Sequence, residues 1–259
     1  MKTTQVAAQT YTIREHTQTA HALSQSLRKL RNTGFRAIEL SGIGPISASE
    51  IKRMMDDEGL TCCASHESEE ALFGNPDTVI ERMQMLDCPL AVYPWPGDRR
   101  FDSLDTVLSF ARRLNETGRT LQNAGIAFAY HNHHMEFIRV KNRPALEVLF
   151  DETDPVLVKA ELDTYWVQFG GGNPVNWCDR LKGRLAVLHM KDYAIHPDRQ
   201  VVFAEVGSGN LEWPAIIAAA DRAECSWFVI EQDTCPGDPF DSLKKSYEYV
   251  MANLARDQD

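Results

Sequence analysis

Residues 157–163 read LVKAELD and residues 184–192 read RLAVLHMKD, two short apolar runs that each end in a group able to ionise or hold a cation. Two further runs are built the same way, AGIAFAYHNHHMEF at 124–137 and SWFVIEQD at 226–233. Apolar runs of this length, rich in aliphatic and aromatic residues and bounded by polar segments, predict strands buried on both faces. Asp163, His189 and Glu231 then stand at or just beyond strand ends, and Glu136 lies a few residues past another. Side chains spread from 136 to 231 meet only if a fold lays the strands side by side with their ends at one face.

Outward from these runs, β-like segments alternate with longer segments of helical period, the pattern of repeated βα units and a parallel sheet. The expected strands are 5–12, 36–40, 61–65, 90–93, 126–131, 157–162, 185–190 and 227–232. Eight units at a spacing of about thirty residues match a closed α/β barrel of ~250 residues. Helix starts lie between them: Thr17 before 20–34 with Gly34 at its end, Ser47 with Glu50 as a capping box, and Asn75-Pro76. Later helices are expected over 102–123, 144–150, 174–181, 213–223 and 238–254 from apolar residues three and four apart. No linker or charge block interrupts the series, so a single (β/α)8 TIM barrel over 1–259 is expected. The triplet Gly170-Gly171-Gly172, after the sixth strand, reads as a tight, backbone-exposed βα loop and not as a linker or phosphate cradle, because it lacks the signature of either nucleotide-binding motif.

The chain has 259 residues, 43% hydrophobic and 25% charged, which is an ordinary globular balance. Its formal charge of −10 argues against a phosphate backbone as partner, since nucleic-acid binding needs clustered Lys and Arg. Six cysteines without a C-x-x-C pair read as small buried residues in a reducing compartment, hence the cytoplasm. The first residues lack the apolar centre of a signal peptide, and no run reaches the ~20 apolar residues of a membrane span. A small-molecule partner is therefore expected, with neither nucleic acid nor membrane; a homo-oligomer is left open.

Barrel enzymes build their sites from the C-terminal ends of strands and the loops that follow. Here those positions carry Glu39, His66, the Trp95 region, His131 with His133 and Glu136, Asp163, His189 with Lys191 and Asp192, and Glu231 with Asp233. Glu136, Asp163, His189 and Glu231 are the expected ligands of one divalent metal. Three carboxylates and one imidazole suit manganese first, with magnesium, cobalt and zinc also acceptable. Alternation places His131 and His133 on one side of the chain, facing the pocket, while His134 is expected to point away. His131, His133, Glu136, Glu231 and Lys191 are the candidate catalytic groups, and His66, Trp95, Trp166 and Glu205 the candidate substrate contacts. Asp192 is expected to orient its neighbours.

The strings AYHNHHMEF, KAELDTYWVQFGGGNP, LHMKD, EVGSGNLEWPAI and IEQDTCPGDPFDSLKKSYEY resemble the sugar phosphate isomerase/epimerase family, which shares the xylose isomerase-like TIM barrel. The resemblance runs from the second strand to the last helix. It implies a divalent ion held by Asp163, His189 and Glu231. Many members carry Glu at the strand-five position that is His131 here; Glu136 is the candidate replacement as first ligand and His133 the second candidate. The resemblance also implies paired acid and base groups that move protons next to a carbonyl. A histidine at this position suits proton abstraction near neutral pH, because an unperturbed imidazole titrates at about 6.5.

Three activities are weighed. The first is a metal-dependent isomerase or epimerase acting on a ketose, keto-sugar or keto-inositol, with Trp95, Tyr165 and Trp166 against the ring. The second is a lyase or dehydratase that follows the same deprotonation with β-elimination, on a 3-keto-glycoside or keto-inositol. The third and remotest is an abasic-site endonuclease, which the acidic balance and the lack of a multinuclear zinc ligand set disfavour. A non-catalytic sugar-binding role stands outside these.

Overall fold

The computed structural model describes residues 1–256, and in it eight parallel strands close into a barrel. They are β1 Val6–Gln9, β2 Ala37–Leu40, β3 Thr61–His66, β4 Leu90–Tyr93, β5 Ala127–His131, β6 Lys159–Asp163, β7 Leu185–Met190 and β8 Trp227–Ile230. Each pairs with its neighbour in order, and β8 closes back on β1 through Val6 opposite Phe228 and Ala8 opposite Ile230. The expected eightfold (β/α) architecture is what the chain forms. Among the described residues no helix is long and apolar enough to cross a membrane, and all six cysteines are free.

Several boundaries move for local reasons. The expected first strand stops at Gln9, and Thr10–His16 turns into 3-10 helix. There the Gln9 side chain accepts from the Tyr11 amide, and the Thr10 hydroxyl donates to the Ser41 carbonyl, which pins the turn to the end of β2. The cap of helix Ala20–Thr33 is Thr19, not Thr17; the Thr17 hydroxyl is bonded to the Arg14 and Gly42 carbonyls. Ser47 and Glu50 form the expected capping box. The sixth strand starts at Lys159 because Leu157 and Val158 close a turn onto the Asp154 carbonyl.

Two antiparallel ribbons, Asp192–Ile195 with Val201–Ala204 and Arg139–Val140 with Arg143–Pro144, are additions to the basic pattern. The glycine triplet lies in the loop region after β6, as expected, but not immediately. A short helix, Thr164–Phe169, intervenes, and Gly170 and Gly172 lie flat against Phe137, where a Cβ at Gly170 would stand 2.4 Å from Phe137 Cδ2.

The barrel interior explains where the chemistry sits. Ala7, Ala37, Ala64, Val92, Ala129, Val187 and Val229 pack together as an apolar layer separate from the main core between strands and helices. Side chains alternate across a strand with period two. The next inward residues on the same strands are therefore Gln9, Glu39, His66, His131, His189 and Glu231, all on the side of the strand C-termini. An apolar plug below and a polar layer above are thus written by one alternation.

Helix Leu104–Asn123 packs so closely on the segment before β6 that a Cβ on Gly118 would lie 2.4 Å from the Leu157 carbonyl oxygen. Alanine gains about 1 kcal/mol of helix propensity over glycine, but a rigid backbone overlap costs typically 1–3 kcal/mol. Gly118→Ala is therefore expected to destabilise the protein by about 1–2 kcal/mol in urea unfolding, against the sign that propensity alone predicts.

Candidate active site

A cavity of about 510 Å³ opens at the C-terminal ends of the strands. His66, His131, His133, Trp166, Lys191 and Glu231 line it, with Trp95 and His134 at the rim. His134 does not point away as expected: its ring lies 5.1 Å from that of Trp166. Trp95 stands edge-on to His133 at 4.8 Å, and His133 packs against Trp166 at 5.4 Å, so the mouth is a band of rings.

The floor holds Asp163, His189 and Glu231, all buried, with one ligating atom from each within 4.8 Å of the others. His189 Nδ1 is hydrogen-bonded to Glu231 Oε2 at 2.8 Å and lies 4.0 Å from Asp163 Oδ2. Asp163 also caps the helix that follows it: Oδ1 accepts from the Trp166 amide at 2.8 Å, which fixes the carboxylate and leaves Oδ2 toward Lys191 and His189. Lys191 Nζ, buried, reaches Asp163 Oδ2 at 3.0 Å, Glu231 Oε2 at 2.8 Å and Asp233 Oδ1 at 2.9 Å. Even so, Asp163 Oδ2 is buried without a well-directed hydrogen bond. An oxygen left in that state, beside an imidazole and a second carboxylate, fits a cation-binding position.

Glu136, expected as the first ligand, does not join these three. It is fully buried, accepts from the Tyr130 hydroxyl and accepts from the His133 amide at 3.1 Å, so both oxygens brace the β5 loop. Glu205, expected against substrate, accepts from Ser242 at 3.0 Å on the last helix and does not line the cavity. Asp192 gathers its own loop: it accepts from the amides of Tyr193, Gly207 and Leu211 and from Trp213 Nε1.

Beneath the triad lies a group that strand-end positions reveal only in part. Glu161, two residues before Asp163 on the same face of β6, is absent from the expected site residues. Its Oε1 lies 2.8 Å from His66 Nε2, 3.1 Å from His131 Nδ1 and 3.1 Å from His189 Nε2. Glu39 completes the group, 2.9 Å from His66 Nε2 and 2.8 Å from His189 Nε2. The period-two alternation that places Asp163 also places Glu161, so KAELD carries the signal for both.

Burial and neighbouring charge set the protonation states. Burial works against charge on His66, but Glu39 and Glu161 raise it to about 10. His189 is raised well above its ordinary range by Glu161, Glu39 and Glu231 in spite of burial. Glu231 is held low by Lys191 and His189 although burial opposes it. Burial raises Asp163 to about 6 against the pull of Lys191. His131 and His133 go the other way: burial, with the cations His189 and Lys191 respectively next in weight, holds His131 well below its ordinary range and His133 at about 3. Both line the pocket as neutral imidazoles with a lone pair to offer, but burial makes them weaker bases than the unperturbed imidazole on which the expectation for His131 rested.

Burial also raises Glu136 to about 7 from an ordinary value of 4.5. The folded protein then keeps a proton that the unfolded chain releases, so between pH 4.5 and 7 stability falls as pH rises and levels off above that. At ~1.36 kcal/mol per pH unit the loss is at most about 3 kcal/mol. Glu136→Gln is expected to flatten this part of the curve of unfolding free energy against pH, measured by chemical denaturation at several pH values.

Comparison with known proteins agrees with this architecture. Among curated proteins, an inosose dehydratase of Geobacillus thermodenitrificans is 27% identical over 154 residues, covering 53% of this chain and 51% of that protein. The chain thus spans about half the length of that relative. The rhizopine catabolism protein MocC of Rhizobium meliloti is 24% identical over 90% of this chain and 81% of its own length. A crystal structure of a sugar phosphate isomerase/epimerase from Parabacteroides distasonis has the same fold, with a TM-score of 0.79 at 24% identity over 96% of this chain and 94% of that one. The structure of L-ribulose 3-epimerase gives 0.73 at 13% identity over 98% of this chain and 95% of that one. The family model for the xylose isomerase-like TIM barrel matches residues 27–252, and the chain belongs to that family.

Proposed function

We propose that the protein is an enzyme that removes a proton from the carbon next to the carbonyl of a keto-sugar or keto-inositol, with a divalent metal held by Asp163, His189 and Glu231. The observation that carries this reading is the convergence of those three buried donors on one another, with Glu231 lining a cavity that a neutral histidine also lines. A divalent ion bound there supplies Lewis-acid polarisation of a carbonyl oxygen. His131 is the base: Nδ1 faces Glu161, which leaves Nε2 for the substrate proton. Lys191 Nζ lines the cavity, and an ion taking over Asp163 and Glu231 would free N–H groups of this ammonium to donate to a substrate oxygen. Trp166 and Trp95 cover the apolar face of the ring, and the rings at the rim limit water at the reacting carbon.

Between the two outcomes of that step, elimination is favoured. The chain's curated relatives include proteins named inosose dehydratase, and β-elimination needs one base and one proton donor, the roles given to His131 and Lys191. The carbon-bound proton goes to His131 Nε2, its electron pair becomes the new double bond, and the β-hydroxyl leaves as water with a proton from Lys191. Epimerisation is the second reading, favoured by the placement of His131 and Glu231 about His189 as two proton-handling groups. A neutral substrate and the chain's net charge of −10 are compatible, and both weigh against the endonuclease reading.

Three measurements test this. Protein loaded with Mn²⁺ and given ketoses, keto-inositols and 3-keto-glycosides in D₂O is expected to exchange the carbon-bound proton and release an unsaturated product. Exchange with return of an epimer selects the second reading, and no exchange across the panel overturns both. Asp163→Ala is expected to weaken Mn²⁺ at least about tenfold by equilibrium dialysis and to abolish turnover while the circular dichroism spectrum is kept. His131→Ala is expected to retain Mn²⁺ and lower exchange by 10²–10⁴-fold, the usual worth of a general base; unchanged exchange removes His131 from that role.

A further inference from the structure

The layer below the triad has more nitrogen donors than the triad itself. His66 Nε2, His131 Nδ1 and His189 Nε2 all lie within 3.1 Å of one oxygen, Glu161 Oε1, and one ligating atom from each of the four side chains lies within 4.8 Å of the others. A single carboxylate oxygen has two lone pairs and cannot satisfy three N–H groups. The geometry reflects this: His131 Nδ1 and Glu161 Oε2 are buried without a well-directed hydrogen bond, although Nδ1 lies 3.1 Å from Glu161 Oε1. Leaving polar atoms unsatisfied within one small volume is costly. Three imidazole nitrogens and a carboxylate, buried and turned toward one another, are what a first-row divalent ion requires.

We infer that His66, His131, Glu161 and His189 form a second cation site, deeper in the barrel than Asp163–His189–Glu231 and nitrogen-rich where the outer one is oxygen-rich. Its ligand set selects Zn²⁺, Co²⁺ or Cu²⁺ over Mn²⁺ or Mg²⁺. Glu39 stands behind it, 2.9 Å from His66 and 2.8 Å from His189, and compensates the ion's charge. The two sites share one ring. His189 Nδ1 faces Glu231 and its Nε2 faces Glu39 and Glu161, so a neutral His189 ligates one ion at a time. When the outer position is filled, the Nε2 proton is donated to Glu39, the outer-shell partner that metal-binding histidines generally have. The identity of the ion thereby decides which position is occupied. The inference rests on this donor set and not on the substrate proposed above.

The test is Co²⁺ and Zn²⁺ binding, by equilibrium dialysis, to Asp163→Ala/Glu231→Ala, in which the outer site is removed. About one Co²⁺ per chain is expected to remain. Adding His66→Ala in that background is expected to lower Co²⁺ affinity at least tenfold. A folded double variant that binds no Co²⁺ or Zn²⁺, or one whose binding ignores His66, overturns the site and leaves the layer as a network of protonated histidines and carboxylates. Should the double variant fail to fold, pulsed electron paramagnetic resonance on the wild-type protein with one equivalent of Cu²⁺ decides. Coupling to three imidazoles supports the inner site, and coupling to a single imidazole overturns it. Neither readout depends on turnover, so failure here is separable from failure of the proposed reaction.

Discussion

Everything at the open end of the barrel depends on His189, a fully buried imidazole with a carboxylate on each side. Nδ1 meets Glu231 at 2.8 Å, and Nε2 meets Glu39 at 2.8 Å and Glu161 at 3.1 Å. Burying a charge without a partner costs several kcal/mol, so four interior carboxylates, Glu39, Glu161, Asp163 and Glu231, persist only if cations are interleaved among them. His66, His189 and Lys191 supply that charge in the protein alone. A cation at the position proposed for it would join the same balance and take over part of it.

The network is held from outside by groups that never line the cavity. Asp163 is locked by capping the helix it precedes, and Glu136 is locked by Tyr130 and the His133 amide. Asp192 draws the loop around Gly207, Leu211 and Trp213 into place, and Gly209 lies so near its carboxylate that a Cβ there would come within 2.3 Å of Oδ1. These acids look alike in the sequence, each just past an apolar run, yet one meets His189 and Lys191 and two brace loops. The difference is which donors the local backbone turns toward them.

Above the floor the pocket becomes aromatic. His133, His134, Trp95 and Trp166 make a rim of rings, continued by Phe169 and Tyr165 toward the surface. Lys191 Nζ lies 5.6 Å from the Trp166 ring centroid, so charge and ring face meet at the boundary between floor and rim. The cavity thus joins a charged floor to an aromatic rim.

The eightfold alternation of apolar runs and capped helices is legible in the amino-acid sequence, and so are Asp163, His189, Glu231 and Lys191, because strand ends in such a barrel point to one face. Glu161 is equally present in KAELD, but a rule confined to the last residue of a strand passes over the one two positions earlier on the same face. Glu136 and Glu205 cannot be placed from spacing. Period two holds only within a strand, and both lie in loops, where Tyr130 and Ser242 decide the direction of the side chain. The order and polarity of residues along each strand thus determined which groups enter the barrel. Which nitrogen of His189 meets which acid, and which acids instead brace a loop, was decided only by tertiary structure, because hydrogen-bond partners far apart in the chain are set by packing and not by local periodicity.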